Sequence, residues 1–380
     1  ATFYNNLAGL YKAQGRYAAA EDFYLKALEI RKTVLKPDHP DLATSYNNLA
    51  LLYHYQGHYA AAEDFYLKAL EIRKTVLKPD HPDLATSYHN LAGLYKAQGR
   101  YAAAEDFYLK ALEIFKRAYE ADHPNIATSY HNLAGLYQAQ GRYAAAEEFY
   151  NKALEIRKKV LKADHPDLAT SYNNLAGLYE SQRRYAAAED LYLKALEIVK
   201  TAYDEKHPSI ATSYNNLAGL YKDQGRYAAA EDFYNKALEI DRIAYPDDHP
   251  EIATDMNNLA GLYEFQGRYT EAEEFYNKAL EIFVKTLGSE HPKTITTTSN
   301  MALMYKKGGR TERAIELFEA VIAATFESPA PDPDIWIVAA ESLVELYTQT
   351  GNKEQAASYR DLLDALAKLM ETTDENDEVD

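Results

Sequence analysis

An all-α solenoid of stacked helix-turn-helix units is the fold this sequence predicts, and three observations carry it. His-Pro recurs at His39, His81, His123, His165, His207, His249 and His291, every step being 42 residues. Each period holds two apolar stretches of helical spacing. The same residues return in each copy, beginning with Tyr4, Leu7, Ala8, Tyr11, Gly15, Ala20, Tyr24, Ala27 and Leu28. A fixed period of this size marks a solenoid, because each unit buries its apolar face only against a neighbour. Positions below carry the numbers of the first unit, residues 1–42.

Helix A is expected from about position 41 of one unit to position 13 of the next. Pro40 suits its first turn, where a missing N–H costs nothing. Gly15 breaks the chain between helices. Helix B should run from about Tyr17 to Leu35 and end at Pro37-Asp-His-Pro40. The eighth unit is worn but legible in Met301, Ala302, Tyr305, Gly309, Ala314 and Phe318. A loop over residues 327–334 precedes a ninth, degenerate unit with Leu343, Tyr347, Gly351 and Ala356. The expected organisation is thus eight repeats over 1–336, the first truncated at its start, a C-terminal cap over 337–370 that Trp336 helps to pack, and an acidic, disordered tail over 371–380.

The spacing of aromatic, Leu, small residue and Tyr, followed by Ala-x3-aromatic, is similar to the tetratricopeptide signature. The 42-residue form resembles the repeat domain of kinesin light chains through Asn47-Asn-Leu-Ala50, Gly57, Tyr59, Ala62-Glu63, Ala69-Leu-Glu-Ile72 and His81-Pro82. That resemblance implies a right-handed superhelical solenoid of tetratricopeptide repeats, with helix A lining the concave side. The heptad stalk of a motor subunit is not part of this sequence.

Composition narrows the function. The 380 residues include no cysteine, which removes disulfides, zinc–thiolate sites and cysteine nucleophiles. No phosphate loop, nucleophile elbow or metal-ligand motif is present, so no enzyme, cofactor or metal is expected. A net charge of −17 argues against nucleic acid. Residues 1–210 are close to neutral, so almost all the excess falls in the last 170. No membrane-spanning run or signal peptide is visible, and a cytoplasmic location is expected.

On helix A, positions 4, 7, 8 and 11 share the core side, leaving 2, 5, 6, 9, 12 and 13 for the groove. Position 6 is asparagine throughout: Asn6, Asn48, Asn90, Asn132, Asn174, Asn216, Asn258 and Asn300. An amide offers donor and acceptor together, which suits an extended peptide backbone. The row is similar to the asparagine ladder in the repeat domain of O-GlcNAc transferase. Position 5 adds Asn47, His89, His131, Asn173 and Asn215, and Leu51, Tyr55 and Lys96 complete the candidate peptide-binding set; Phe265 varies the lining further along. The competing reading has these amides tying neighbouring helices together. Position 9 is usually Gly, either to admit a ligand or to pack against the next helix A. Lys12 and Lys96, with Arg16, Arg100 and Arg142, should give a basic lip that favours an acidic partner, whereas Glu180, Asp223 and Glu264 make the later half acidic. The His-Pro histidines read as caps, and the Glu21-Asp22 pairs as solvated surface. His54, His89 and His131 could form a metal or pH-sensing cluster, with polar lining as the default.

The expected function is a protein-interaction scaffold holding a partner peptide in the groove. The alternative is a structural spacer or self-assembling module, associating through the uncapped N-terminal repeat where Tyr4, Leu7 and Tyr11 lie bare. A sensor half of a larger protein is a third reading.

Overall fold

The computed structural model describes residues 1–327 and 333–377. Among these every regular element is an α-helix, in antiparallel pairs. They are α1 (Thr2–Ala13) with α2 (Tyr17–Val34), α3 (Pro40–Tyr55) with α4 (Tyr59–Val76), α5 (Pro82–Ala97) with α6 (Tyr101–Ala118), and α7 (Pro124–Ala139) with α8 (Tyr143–Val160). Next come α9 (Pro166–Ser181) with α10 (Tyr185–Ala202) and α11 (Pro208–Asp223) with α12 (Tyr227–Ala244), followed along the chain by α13 (Pro250–Phe265) and α14 (Tyr269–Leu287). The last pairs are α15 (Pro292–Lys307) with α16 (Thr311–Glu327), and α17 (Pro333–Gln349) with α18 (Lys353–Asp377). Two compact units result, Ala1–Leu262 and Tyr263–Asp380. In the second, Trp336 is buried in α17, as a packing role requires. Most of the loop expected over 327–334 lies outside the described residues, as do 378–380. Helix α18 covers 371–377 of the segment expected to lack structure, continuing from the helix formers of Asp364-Ala-Leu-Ala-Lys-Leu-Met-Glu371.

The helix starts follow from the His-Pro pair. In each copy the histidine Nδ1 accepts the backbone N–H two residues on, as His165 does from Asp167 at 3.1 Å and His39 from Asp41 at 3.1 Å. The ring thus satisfies one of the four donors a helix start leaves open, and proline takes the next place, where no donor is needed. At the A–B turn the chain needs a left-handed residue. Gly141 supplies it at φ 71°, but the fifth repeat has Arg183 there at φ 58°.

Inside each hairpin, Ala8, Ala20 and their copies have no exposed surface, so only methyl groups occupy its middle. Leu49, Leu91 and Leu133 are fully buried, each worth about 1.5–3 kcal/mol. Tyr4, Leu7 and Tyr11 of the first hairpin are only half-buried.

Consecutive hairpins are pinned by a polar clamp. Tyr137 donates its hydroxyl hydrogen to Glu105 of the preceding hairpin at 2.8 Å, and Arg142 donates to the same carboxylate at 2.9 Å while its guanidinium lies 4.1 Å from the Tyr137 ring centre. The same three residues meet as Tyr95, Glu63 and Arg100, as Tyr179, Glu147 and Arg184, and as Tyr221, Glu189 and Arg226. In the second unit they are Tyr305, Glu273 and Arg310. Position 21 is therefore not idle surface. Only its neighbour, Asp22 and its copies, makes the ordinary exposed pair one turn along, with Lys26 at 2.6 Å.

Two outcomes follow. Glu105→Ala should lower stability by about 1–2 kcal/mol in urea denaturation of the full chain, and Tyr137→Phe added to it should cost almost nothing more. Arg183→Gly should raise stability by about 1 kcal/mol by removing the left-handed penalty.

Candidate functional site

The inner face of the first unit follows from which helices meet. Helices A of neighbouring repeats touch directly, α3 with α5, α5 with α7, α7 with α9 and α9 with α11, whereas helices B do not come as close. The A side therefore has the shorter radius and is concave. The curl brings the turn at Gly15 against His249 and Pro250, at the start of α13.

Positions 5 and 6 form cross-links between helices A. Asn48 donates through Nδ2 to Asn5 at 2.8 Å, Asn90 to Asn47 at 2.6 Å, and Asn174 meets His131 Nε2 at 2.8 Å. Part of the asparagine row is thus spent on neighbouring helices. For Asn132, Asn216 and Asn258 no such bond forms, and the facing acceptors His89 Nε2, Asn173 Oδ1 and Asn215 Oδ1 are buried without a hydrogen-bond partner. Asn6 is exposed, and Asn300 lies half-buried in the second unit.

The histidines are not brought together. His89 and His131 sit at position 5, edge-on to Tyr108 and Tyr150, and burial pushes both down to about 4, so they are neutral at pH 7. His54 lies at position 12, against Tyr59, and burial lowers it too. Among the described residues no three His, Asp or Glu side chains are placed to share a metal ion.

Gly93, Gly177 and Gly219 each face the hydroxyl of a helix B tyrosine in their own hairpin, Tyr108, Tyr192 and Tyr234, and not the next helix A. These hydroxyls belong to the groove wall, where Tyr150 donates to Gln138 at 3.1 Å and Tyr192 to Glu180 at 2.7 Å. Burial raises the Glu180 carboxyl. Leu51 is half-buried, while Tyr55 is 54% exposed and carries the Lys12 ammonium 4.9 Å over its ring. Lys96 reaches Gly135 of the next helix A, and burial lowers both lysines. Phe265, in the second unit, is 61% exposed beneath Lys307. The basic lip is narrower than expected: Arg100 and Arg142 are held in the clamps, and Arg16 lies over Tyr11.

One feature escaped the sequence reading. In three repeats an arginine at position 31 crosses to the serine that opens the next helix A: Arg31 to Ser45 at 2.7 Å, Arg73 to Ser87 at 2.7 Å and Arg157 to Ser171 at 2.6 Å. The sixth repeat has Asp241 and Asp255 in these two places, 5% and 1% exposed. Asn215 donates to Asp255 at 2.6 Å, while Asp241 Oδ1 and Asp255 Oδ2 have no donor from any other residue, and the two carboxyls bond to each other through a proton. Burial first, then the adjoining carboxylates, raise both toward neutrality. Reading positions 31 and 45 down the seven copies would have shown the charge reversal.

A tetratricopeptide-repeat family model matches residues 1–75, 65–117, 83–159, 125–201, 167–243 and 247–325. Among solved structures, a Rap protein complexed with competence and sporulation factor is 15% identical with a TM-score of 0.60, over 97% of this chain and 98% of that one. The apo form of RapI is 20% identical with a TM-score of 0.53, over 74% and 96%. Kinesin light chain repeats from Podospora anserina are 27% identical with a TM-score of 0.44, over 54% and 98%. A search of curated proteins finds no match.

The acid pair gives a pH dependence. Both folded-state values lie above those of an unfolded aspartate, so the folded chain holds a proton that the unfolded chain releases above about pH 4. The pair's contribution is therefore most favourable in mild acid and is lost as pH rises toward neutrality. Asp241→Asn should stabilise the chain relative to wild type at pH 8, and not at pH 4, by more than about 1.4 kcal/mol, the worth of one pKa unit, in urea denaturation at both pH values.

Proposed function

We propose that this chain, which belongs to the tetratricopeptide-repeat family, holds an extended partner segment along the concave face of its helices A. The chain is a repeat scaffold of the protein-interaction type. Among the described residues no helix is long and apolar enough to cross a membrane.

The observation that carries the reading is the asparagine row itself. Asn48, Asn90 and Asn174 each use one amide hydrogen on a neighbouring helix, which leaves the carbonyl and the second N–H in a fixed orientation. Packed helices lie about 8–10 Å apart and an extended chain rises about 3.3 Å per residue, so one amide meets roughly every third ligand residue. Between these polar contacts, the half-buried Leu51 and the exposed Tyr55 offer apolar surface. Lys96 favours an acidic partner side chain beside α7.

The two groups of asparagines allow a controlled test. Asn132, Asn216 and Asn258 make no cross-link, so their triple alanine variant should keep the wild-type melting temperature and lose partner affinity by about tenfold or more. Partners are taken from a quantitative pull-down with the wild-type chain and titrated against both proteins. Unchanged affinity would overturn the amide grip. The Asn48, Asn90 and Asn174 triple should lose stability as well as affinity, because it also removes links between helices.

A further inference from the structure

The first unit contains a cavity of about 370 Å³ between its first two hairpins and its sixth repeat. Lys12, Tyr17 and Tyr55 stand on one side, and Asp241, Tyr245 and Glu251 on the other. Of the Asp241–Asp255 pair, Asp241 lines the cavity, with Asp255 buried behind it.

The sister repeats show what this junction is built to hold. There the arginine lies between two helices, its Nη1 bonded to the serine and also to a backbone carbonyl, that of Asp41 at 3.1 Å for Arg31 and that of Asp83 at 3.2 Å for Arg73. The third, fifth and seventh repeats place Phe115, Val199 and Phe283 at the arginine position, all buried, with Ser129, Ser213 and Thr297 opposite. The other six of the first seven copies thus plug the junction with their own cation or with hydrocarbon. Only the sixth withdraws the cation and sets a second carboxylate in the serine place. The shorter Asp241 leaves space where the sister guanidinium stands, and it borders a cavity walled by three tyrosine rings, surfaces on which a planar cation stacks.

We infer that this cavity is a socket for one basic side chain, a guanidinium before an ammonium, supplied by a bound partner and paired with Asp241 and Asp255. The inference does not depend on the asparagine row, which contributes no residue to the cavity wall; Tyr55 alone borders both. A buried carboxylate pair is repulsive alone and favourable once a bidentate donor bridges it. The charged and titratable groups around it are Glu251 and His249 at the start of α13, Arg242 and Tyr245 at the end of α12, and Lys12, Tyr17 and Tyr55 across the cavity; Asn215 of α11 holds Asp255. Lys12 and Arg242 oppose an incoming cation, whereas Glu251 favours it. The incoming charge takes the place of the proton the pair holds, so binding releases protons and strengthens as pH rises from about 5 to about 8.

The probe is N-acetyl-arginine methylamide, with the citrulline analogue as its uncharged isostere, titrated into the full chain by calorimetry in two buffers of different ionisation heat. The arginine compound should bind at least about tenfold tighter than citrulline and release protons. Asp241→Asn should abolish the difference. The double variant Asp241→Arg with Asp255→Ser rebuilds the junction of the first repeat, and it should fold with a higher melting temperature and bind neither compound. Equal binding of the two compounds by wild type, absence of binding, or retained arginine binding in the folded double variant would each overturn the socket. So would equal displacement by sodium or calcium ions, which would reduce the effect to charge screening.

Discussion

Each hairpin of this chain is half a core, and the structure depends on how firmly the next hairpin is held against it. The apolar contact supplies most of the free energy but little direction, since leucine and alanine surfaces slide. The clamp of tyrosine, glutamate and arginine supplies the direction: one carboxylate on helix B receives a hydroxyl and a guanidinium from the following unit, and neither donor reaches it unless the helices are in register. A small error of rotation at one junction would accumulate along the array and displace the groove residues from a common line. The clamp therefore acts on function at a distance, through the spacing of the helices A.

Much of this was legible in the sequence. The His-Pro period set the repeat length, and the helix limits followed to within a residue or two from proline, glycine and the apolar spacing. The caps were legible because histidine before proline at a helix start has few other tasks. What the pattern could not supply was partnership. Glu105 looks like solvent-facing charge until the next hairpin is in place, and two arginines of the apparent basic lip, Arg100 and Arg142, are spent on such carboxylates. The asparagine row was visible, but its division into bonded and unbonded members is set by where the neighbouring helix A stands. The Asp241 and Asp255 pair is separated by fourteen residues and matters only because the sister positions hold arginine and serine.

The groove combines two kinds of surface with different chemistry. Asparagine amides recur at one per repeat and take no account of side chains, which suits them to a main chain of any sequence. Position 12, with Lys12, His54, Lys96, Gln138 and Glu180 in turn, changes from each of these repeats to the next and lies on the same wall. In the proposed grip, affinity and selectivity would fall to different rows of the same helices, and a change in one would leave the other in place.

The constant offset of the clamp has a consequence for the length of the array. Because the glutamate acceptor on one unit and the tyrosine donor on the next are 32 residues apart at six of the junctions, removing or adding one whole 42-residue unit among them joins two surfaces that already fit. Any other increment would leave a carboxylate facing the wrong ring. That stretch of the chain can therefore be lengthened or shortened only in whole steps, and each step adds or removes one helix A of the inner face while the junctions on either side remain the same.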